Sequence, residues 1–142
     1  MTKLVSMKLL MIYCKEFSYT PQVKNLDSAE ENVSPAGYKY IQTAFIQTEE
    51  KDEDNESATA KKLLTNLKWI CRKNNTKRIL LHSFAHLSIS KSSPEFTRQL
   101  FDNVQKRLES TNHEVFQTPY GYFLDLHIEA PGFSLARVFK DL

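Results

Sequence analysis

Glycine is scarce in this chain: its 142 residues include only Gly37, Gly121 and Gly132. Three isolated glycines build neither a Walker loop nor a G-x-G-x-x-G turn, so the ordinary ATP and dinucleotide fingerprints are excluded. Cysteine is scarcer still. Cys14 and Cys71 form no C-x-x-C pair, which excludes a zinc ribbon and a thioredoxin-like site and leaves two buried, reduced thiols as the expectation. No stretch approaches the ~20 apolar residues of a membrane span. The apolar N-terminus carries Lys3 and Lys8 and lacks a small-residue cleavage site, so it reads as a first strand rather than a signal peptide. Cytoplasm is the expected location. Charge of one sign is also lacking: the formal net charge is +2, too small for composition alone to argue nucleic acid.

What is present fits one domain, with no internal repeat. A chain of this length buries roughly 68–70% of its unfolded surface and needs no disulfide or metal staple. Lys8–Tyr13 is a short apolar run that suits a doubly buried strand. Residues 15–37, broken by Pro21, Pro35 and Gly37, read as a surface excursion or a weak hairpin. Aromatic and β-branched residues from Tyr38 to Thr48 predict the next strand. The acidic run Glu49–Glu56 reads as a solvated loop with Asp54 or Asn55 capping a helix.

That helix is expected over Glu56–Lys73. Ala60, Leu63, Leu64, Leu67, Ile70 and Cys71 form one apolar stripe. Trp69 lies off the stripe near Lys62 and Lys73, either as an outward contact or as a ring under a neighbouring loop. A strand from Ile79 follows. Ser92-Ser93-Pro94-Glu95 opens a second helix whose apolar face is Phe96, Leu100, Phe101, Val104 and Leu108. A short strand over Glu114–Gln117 precedes a sharp bend at Pro119 and Gly121. Phe123–Glu129 alternates, which predicts a strand burying Leu124, Leu126 and Ile128 and exposing Asp125, His127 and Glu129. The tail from Phe133 to Leu142 is expected to be a short helix. The class is α/β, a sheet of about five strands covered by two main helices.

Two segments carry the chemistry. The first, Arg78 to Ser88, ends an apolar strand in a histidine among small residues: Ser83-Phe84-Ala85-His86-Leu87-Ser88. Strand-end polar groups line the crevices of α/β sheets, which makes His86 a candidate site residue. His82, inside the apolar run, reads as a satisfied sheet histidine. The spacing of His82 and His86 suits a metal only on a helix, and these residues read as strand and strand exit, so no metal and no cofactor is expected. Ser83 lacks the strand–turn–helix context of a serine nucleophile. Asp125 and His127 share a strand face, and a solvated face explains them better than an acid–base pair. The second segment is Thr118-Pro119-Tyr120-Gly121-Tyr122-Phe123.

Phe84-Ala85-His86-Leu87-Ser88 followed by Pro119-Tyr120-Gly121-Tyr122-Phe123 resembles the editing domain of archaeal threonyl-tRNA synthetases, whose fold is that of D-aminoacyl-tRNA deacylases. The resemblance includes the strand opening at Met7 and Ala44-Phe45-Ile46 before the acidic loop. It makes 1–142 a single editing-like domain, with 1–6 as an N-terminal extension. It implies hydrolysis of a mischarged aminoacyl-tRNA ester, Ser-tRNA(Thr) or a D-aminoacyl-tRNA, in trans. One methylene gives a synthetase only ~10–200-fold discrimination, so seryl errors need a second pocket. The resemblance implies that His86 is the catalytic residue. It implies that Ser83, Phe84, Ala85, Tyr122, Phe123 and Leu124 hold the aminoacyl-adenosine at the tRNA 3′ end, assisted by a tRNA 2′-hydroxyl. It also implies a homodimer, with a threonyl-tRNA synthetase as a second partner. The chain departs from the family at Leu124, where a lysine is expected, at Arg137, where an acid is expected, and at Ser83, commonly a proline. A module that binds a tRNA end or nucleotide-like ligand but hydrolyses weakly is the alternative these departures leave open.

Overall fold

The computed structural model describes residues 6–84 and 91–142. Strand β1 (Lys8–Lys24) forms an antiparallel hairpin with β2 (Ala36–Gln47). A 3-10 turn (Glu50–Asp54) leads to α1 (Glu56–Lys73), β3 (Arg78–Ser83), α2 (Pro94–Glu109), β4 (Glu114–Gln117) and β5 (Tyr122–Glu129). A second 3-10 turn (Ser134–Ala136) precedes β6 (Arg137–Asp141). The mixed sheet runs β4-β3-β2-β1-β5, and β6 pairs with the first half of β1. Strands β2, β3 and β4 are parallel neighbours. Neither helix is long and apolar enough to cross a membrane.

Both helices begin and face as their residues dictate. Asn55 caps α1, its side chain accepting from the Ala58 N–H at 3.0 Å, and Ser93 caps α2 by accepting from the Phe96 N–H at 3.2 Å. The stripe Ala60–Cys71 of α1 and the Phe96–Leu108 face of α2 pack on Leu9, Met11, Ala44, Ile46, Ile79 and Leu81 of the sheet. Full burial of one such side chain contributes about 1.5–3 kcal/mol. Trp69 is half-buried against this core, with the Lys140 Nζ of β6 at 5.2 Å from its ring centre, so the tail strand covers it. Cys14 and Cys71 are buried free thiols, and burial pushes them up to about 11 and about 12.

The other face of the sheet closes on itself. Phe17 pairs with Tyr38 in the hairpin, and Phe45 pairs with Leu10 seven residues farther along. A flat ladder would separate them by about 23 Å. Their ring centroids are 6.3 Å apart, so the hairpin curls back over the sheet. The bend sits at Lys15 and Tyr40, the one position opposite in register where the ladder is interrupted. Tyr40 there has a left-handed φ of 53°. The curl encloses a second core of Cys14, Phe17, Tyr19, Ile41, Phe45 and Leu80.

Four expectations are corrected. β1 does not stop at Tyr13: it continues to Lys24, because the curl covers Phe17 and Tyr19 while the intervening polar residues face out. Pro21 is tolerated beyond the last β2 partner, Tyr19, next to a register shift against β5. The acidic run is not wholly solvated. Asp52 is buried and accepts from the Met7 and Glu49 N–H groups at 3.3 and 2.7 Å, and burial raises its carboxyl above the ordinary range. On β5, Leu126 and Ile128 are each 38% exposed rather than buried, since β5 is an edge strand beyond the cover of the helices. The tail is a 3-10 turn and a strand, not a helix, because the unpaired edge of β1 supplies hydrogen-bond partners from Lys8 to Ile12.

Candidate functional site

Parallel pairing puts the exits of β3 and β4 side by side, and a cleft of about 480 Å³ opens there. Volumes of this order suit a small organic ligand or one end of a larger one. The β3 exit contributes His82, Ser83 and Phe84. The bend and first half of β5 contribute Thr118 to Leu124, the β1–β2 connection adds Asn25 and Leu26, and the start of α2 adds Lys91, Ser92 and Pro94.

The bend is built around Gly121, whose φ is +87°. A Cβ there would lie 2.8 Å from that of Ala29, so the motif's glycine admits both the turn and the close approach of the β1–β2 connection. That connection is tied across the cleft. The Asn25 N–H donates to the Gly121 carbonyl at 2.8 Å, and the Tyr122 hydroxyl donates to the Glu30 carbonyl at 2.5 Å. Arg98 lies over the Tyr120 ring at 5.2 Å and donates to the Ser28 carbonyl at 3.4 Å. On the α2 side the hydroxyls of Thr48, Ser92 and Thr97 bond one another, and the Ser92 N–H donates to the Thr48 carbonyl at 2.9 Å.

His82 forms part of the floor. It is buried, its Nδ1 is 2.8 Å from the Thr118 hydroxyl, and the rings of Phe45, Phe84 and Phe17 surround it. Burial lowers its pKa to about 4, so the imidazole is neutral at physiological pH. No carboxylate lines the cleft among the described residues, and Lys91 is its single charged side chain. The lining therefore offers hydroxyls, one neutral imidazole, one ammonium and apolar surface.

Of the residues expected at the site, Ser83, Phe84, Tyr122, Phe123 and Leu124 line this cleft together. His86 and Ala85 lie outside the described residues. The Phe84 N–H donates to the Ile46 carbonyl at 3.0 Å, so it is not a free donor for a ligand. Leu124 is half-buried against the second core. Arg137 pairs with Ile12 on β6 and does not line the cleft, so it does not supply a cation at Leu124. Asp125 and His127 are exposed, and Asp125 accepts from the Gln22 side chain at 2.6 Å.

Sequence reasoning missed Asn25, Leu26, Lys91 and Thr118 as lining residues. Thr118 opens the second segment, which the sequence singled out without giving that threonine a role. Asn25 and Leu26 gave no signal, because only the hairpin's curl brings them to the cleft.

Residues 7–142 match the family described as the archaea-specific editing domain of threonyl-tRNA synthetase. The chain is similar to the threonine–tRNA ligase of Nitrosopumilus maritimus, with 29% identity over 136 residues, covering 94% of this chain and 21% of that protein. It is similar to the Methanosarcina barkeri threonine–tRNA ligase, with 28% identity over 138 residues, covering 96% and 22%. The chain thus spans about a fifth of the length of these relatives. Among solved structures it resembles c-Myc DNA Unwinding Element Binding Protein, with a TM-score of 0.65 and 10% identity over 95% of this chain and 98% of that one. The fold is the D-aminoacyl-tRNA deacylase-like α/β architecture.

Proposed function

Because the chain belongs to the family of archaea-specific editing domains of threonyl-tRNA synthetase, we propose that it hydrolyses the ester of a mischarged aminoacyl-tRNA, Ser-tRNA(Thr) or a D-aminoacyl-tRNA, acting in trans. The observation that carries this reading is the single cleft shared by Ser83 and Phe84 of one motif and Pro119 to Leu124 of the other. The aminoacyl-adenosine end of the tRNA occupies that cleft. Water adds to the ester carbonyl, the bond to the ribose oxygen breaks, the amino acid leaves as its acid, and the tRNA regains its hydroxyl. Without a carboxylate among the described lining residues, the burden falls on positioning and on the substrate's own 2′-hydroxyl. In this reading His86 is the catalytic residue, Ser83, Phe84 and Ala85 bind the aminoacyl-adenosine with it, and Tyr122, Phe123 and Leu124 bind it from the β5 side of the cleft.

The test is ester loss from Ser-tRNA(Thr), Thr-tRNA(Thr) and a D-aminoacyl-tRNA with purified chain. Hydrolysis of the first or third above Thr-tRNA(Thr) is expected, and no loss above buffer on any of them sinks the reading. Leu124, which neither donates a hydrogen bond nor carries charge, favours a second reading: a module that holds the tRNA end and hydrolyses it weakly. Saturable binding of a seryl-adenosine analogue without ester loss selects that reading, and His86→Ala weakens the binding in either case. A homodimer through β5, where Phe123 is 57% exposed beside Leu126 and Ile128, and a synthetase acting as partner in the cytoplasm complete the proposal. Light scattering at monomer mass refutes the dimer.

A further inference from the structure

A second cleft, of about 450 Å³, opens at the opposite end of β3 and β4. Lys68, Cys71 and Arg72 reach it from the last turns of α1. Asn75, Thr76 and Lys77 reach it from the turn into β3, and Thr111 and His113 from the turn into β4. Its lining holds three cations and no Asp or Glu. None of Lys68, Arg72 and Lys77 forms an ion pair among the described residues.

The bland account of cations at a helix C-terminus is that they satisfy its open carbonyls. Here the backbone does much of that. The Asn74, Thr76 and Asn75 N–H groups donate to the carbonyls of Ile70, Cys71 and Arg72 at 2.9, 3.0 and 3.2 Å. After α2, the His113 N–H and the Thr111 hydroxyl donate to the Leu108 carbonyl at 3.1 and 2.9 Å. Three like charges are thus left facing one concavity, an arrangement that costs stability unless an anion enters. His113 registers the same field: burial holds its imidazole below the ordinary value, and the Lys77 and Lys68 cations push it the same way.

We propose that this cleft binds the phosphate backbone of RNA, the stem of the tRNA whose 3′ end enters the first cleft. The proposal rests on the tRNA reading above. Ammonium, guanidinium, hydroxyl and amide donors are the groups that take phosphate oxygens. The lining lacks the aromatic and aliphatic anchors on which a protein partner would depend. The geometry also fits: β3 has six residues, so the two clefts lie about 20 Å apart, a distance that several successive phosphates of one RNA strand span.

The test compares the chain with a Lys68→Ala/Arg72→Ala/Lys77→Ala variant, using uncharged tRNA(Thr) from 50 to 200 mM salt. The variant is expected to lose at least tenfold in affinity at low salt, and its log–log salt slope to fall by about 2 to 3, close to one per lost phosphate contact. Binding of a seryl-adenosine analogue, too short to reach the second cleft, stays within twofold, and circular dichroism reports an unchanged fold. Equal salt slopes for the two proteins overturn the proposal. So does saturation of the cleft by micromolar inorganic phosphate with tRNA affinity unaltered, which would mark a site for a small anion. Loss of the salt slope in a chain that hydrolyses no ester leaves this site standing and removes only the editing reading. Hydrolysis with equal slopes does the reverse.

Discussion

His82 sits where two demands meet, the apolar interior of a strand and the floor of a cleft. Its ring is surrounded by Phe17, Phe45 and Phe84, and Thr118 satisfies Nδ1. The cost of this placement falls on the protonated form. The unfolded chain titrates His82 near the ordinary value of about 6.5, and the folded chain only at about 4. Between those values the unfolded state binds a proton that the folded state refuses, so His82's contribution is complete above pH 6.5 and is lost as pH falls toward 4. At 1.36 kcal/mol per unit this is on the order of 3 kcal/mol. Urea unfolding at pH 7 and pH 4 should show the native chain losing that much more stability than His82→Phe. Equal losses in the two proteins would mean that the folded chain protonates His82 freely. The raised Asp52 carboxyl acts with the opposite sign in both proteins and cancels in the comparison. That His82 is a satisfied sheet histidine was legible from the apolar run around it. Its partner was not: Thr118 lies 36 residues on, and only the parallel pairing of β3 with β4 brings it near.

At the scale of the element, the informative failures concern faces rather than periods. Alternation on β5 correctly states that Leu124, Leu126 and Ile128 share a face. It does not state whether anything covers that face, and at the sheet edge only Leu124 is half-buried while Leu126 and Ile128 stay exposed. The same blindness cut β1 short, because residues past Tyr13 are buried only after the hairpin bends. The bend passes through Tyr40, 61% exposed and in the left-handed region. Such a conformation costs a residue with a side chain roughly 1–2 kcal/mol, and glycine adopts it freely. Tyr40→Gly should therefore hold or raise the unfolding free energy by up to about 1 kcal/mol, despite glycine's poor strand propensity. Tyr40→Val, the better strand former on propensity alone, should lower it by more than 1 kcal/mol. The reverse order in denaturant melts would place the bend elsewhere. The two main helices were legible, and the α1 cap to within one residue, since a 3.6-residue stripe and a cap are local features that need no knowledge of what lies above them.

The whole molecule has two cores with different work. Helices cover one, and the curled hairpin closes the other against the cleft floor. The first segment was legible as a strand exit and the second as a bend after a strand, and parallel β3 and β4 explain why Ser83 and Phe84 meet Thr118 to Leu124. The second core was not legible, because no local pattern encodes a curl. Its consequence is that stability and ligand affinity should separate by core. Leu67 is fully buried in the helix-covered core, and Leu67→Ala should cost about 2–5 kcal/mol. Phe45 has its ring centroid 4.8 Å from His82 and 5.5 Å from Phe84, and Phe45→Ala should cost about 3–5 kcal/mol. At a temperature where both variants remain folded, a seryl-adenosine analogue should bind Leu67→Ala within threefold of the native chain. Phe45→Ala should lose tenfold or more, because the cavity it leaves lies directly behind two cleft-lining rings. Proportional losses of affinity and stability in both variants would show instead that the protein responds as one core, and that the curl positions nothing.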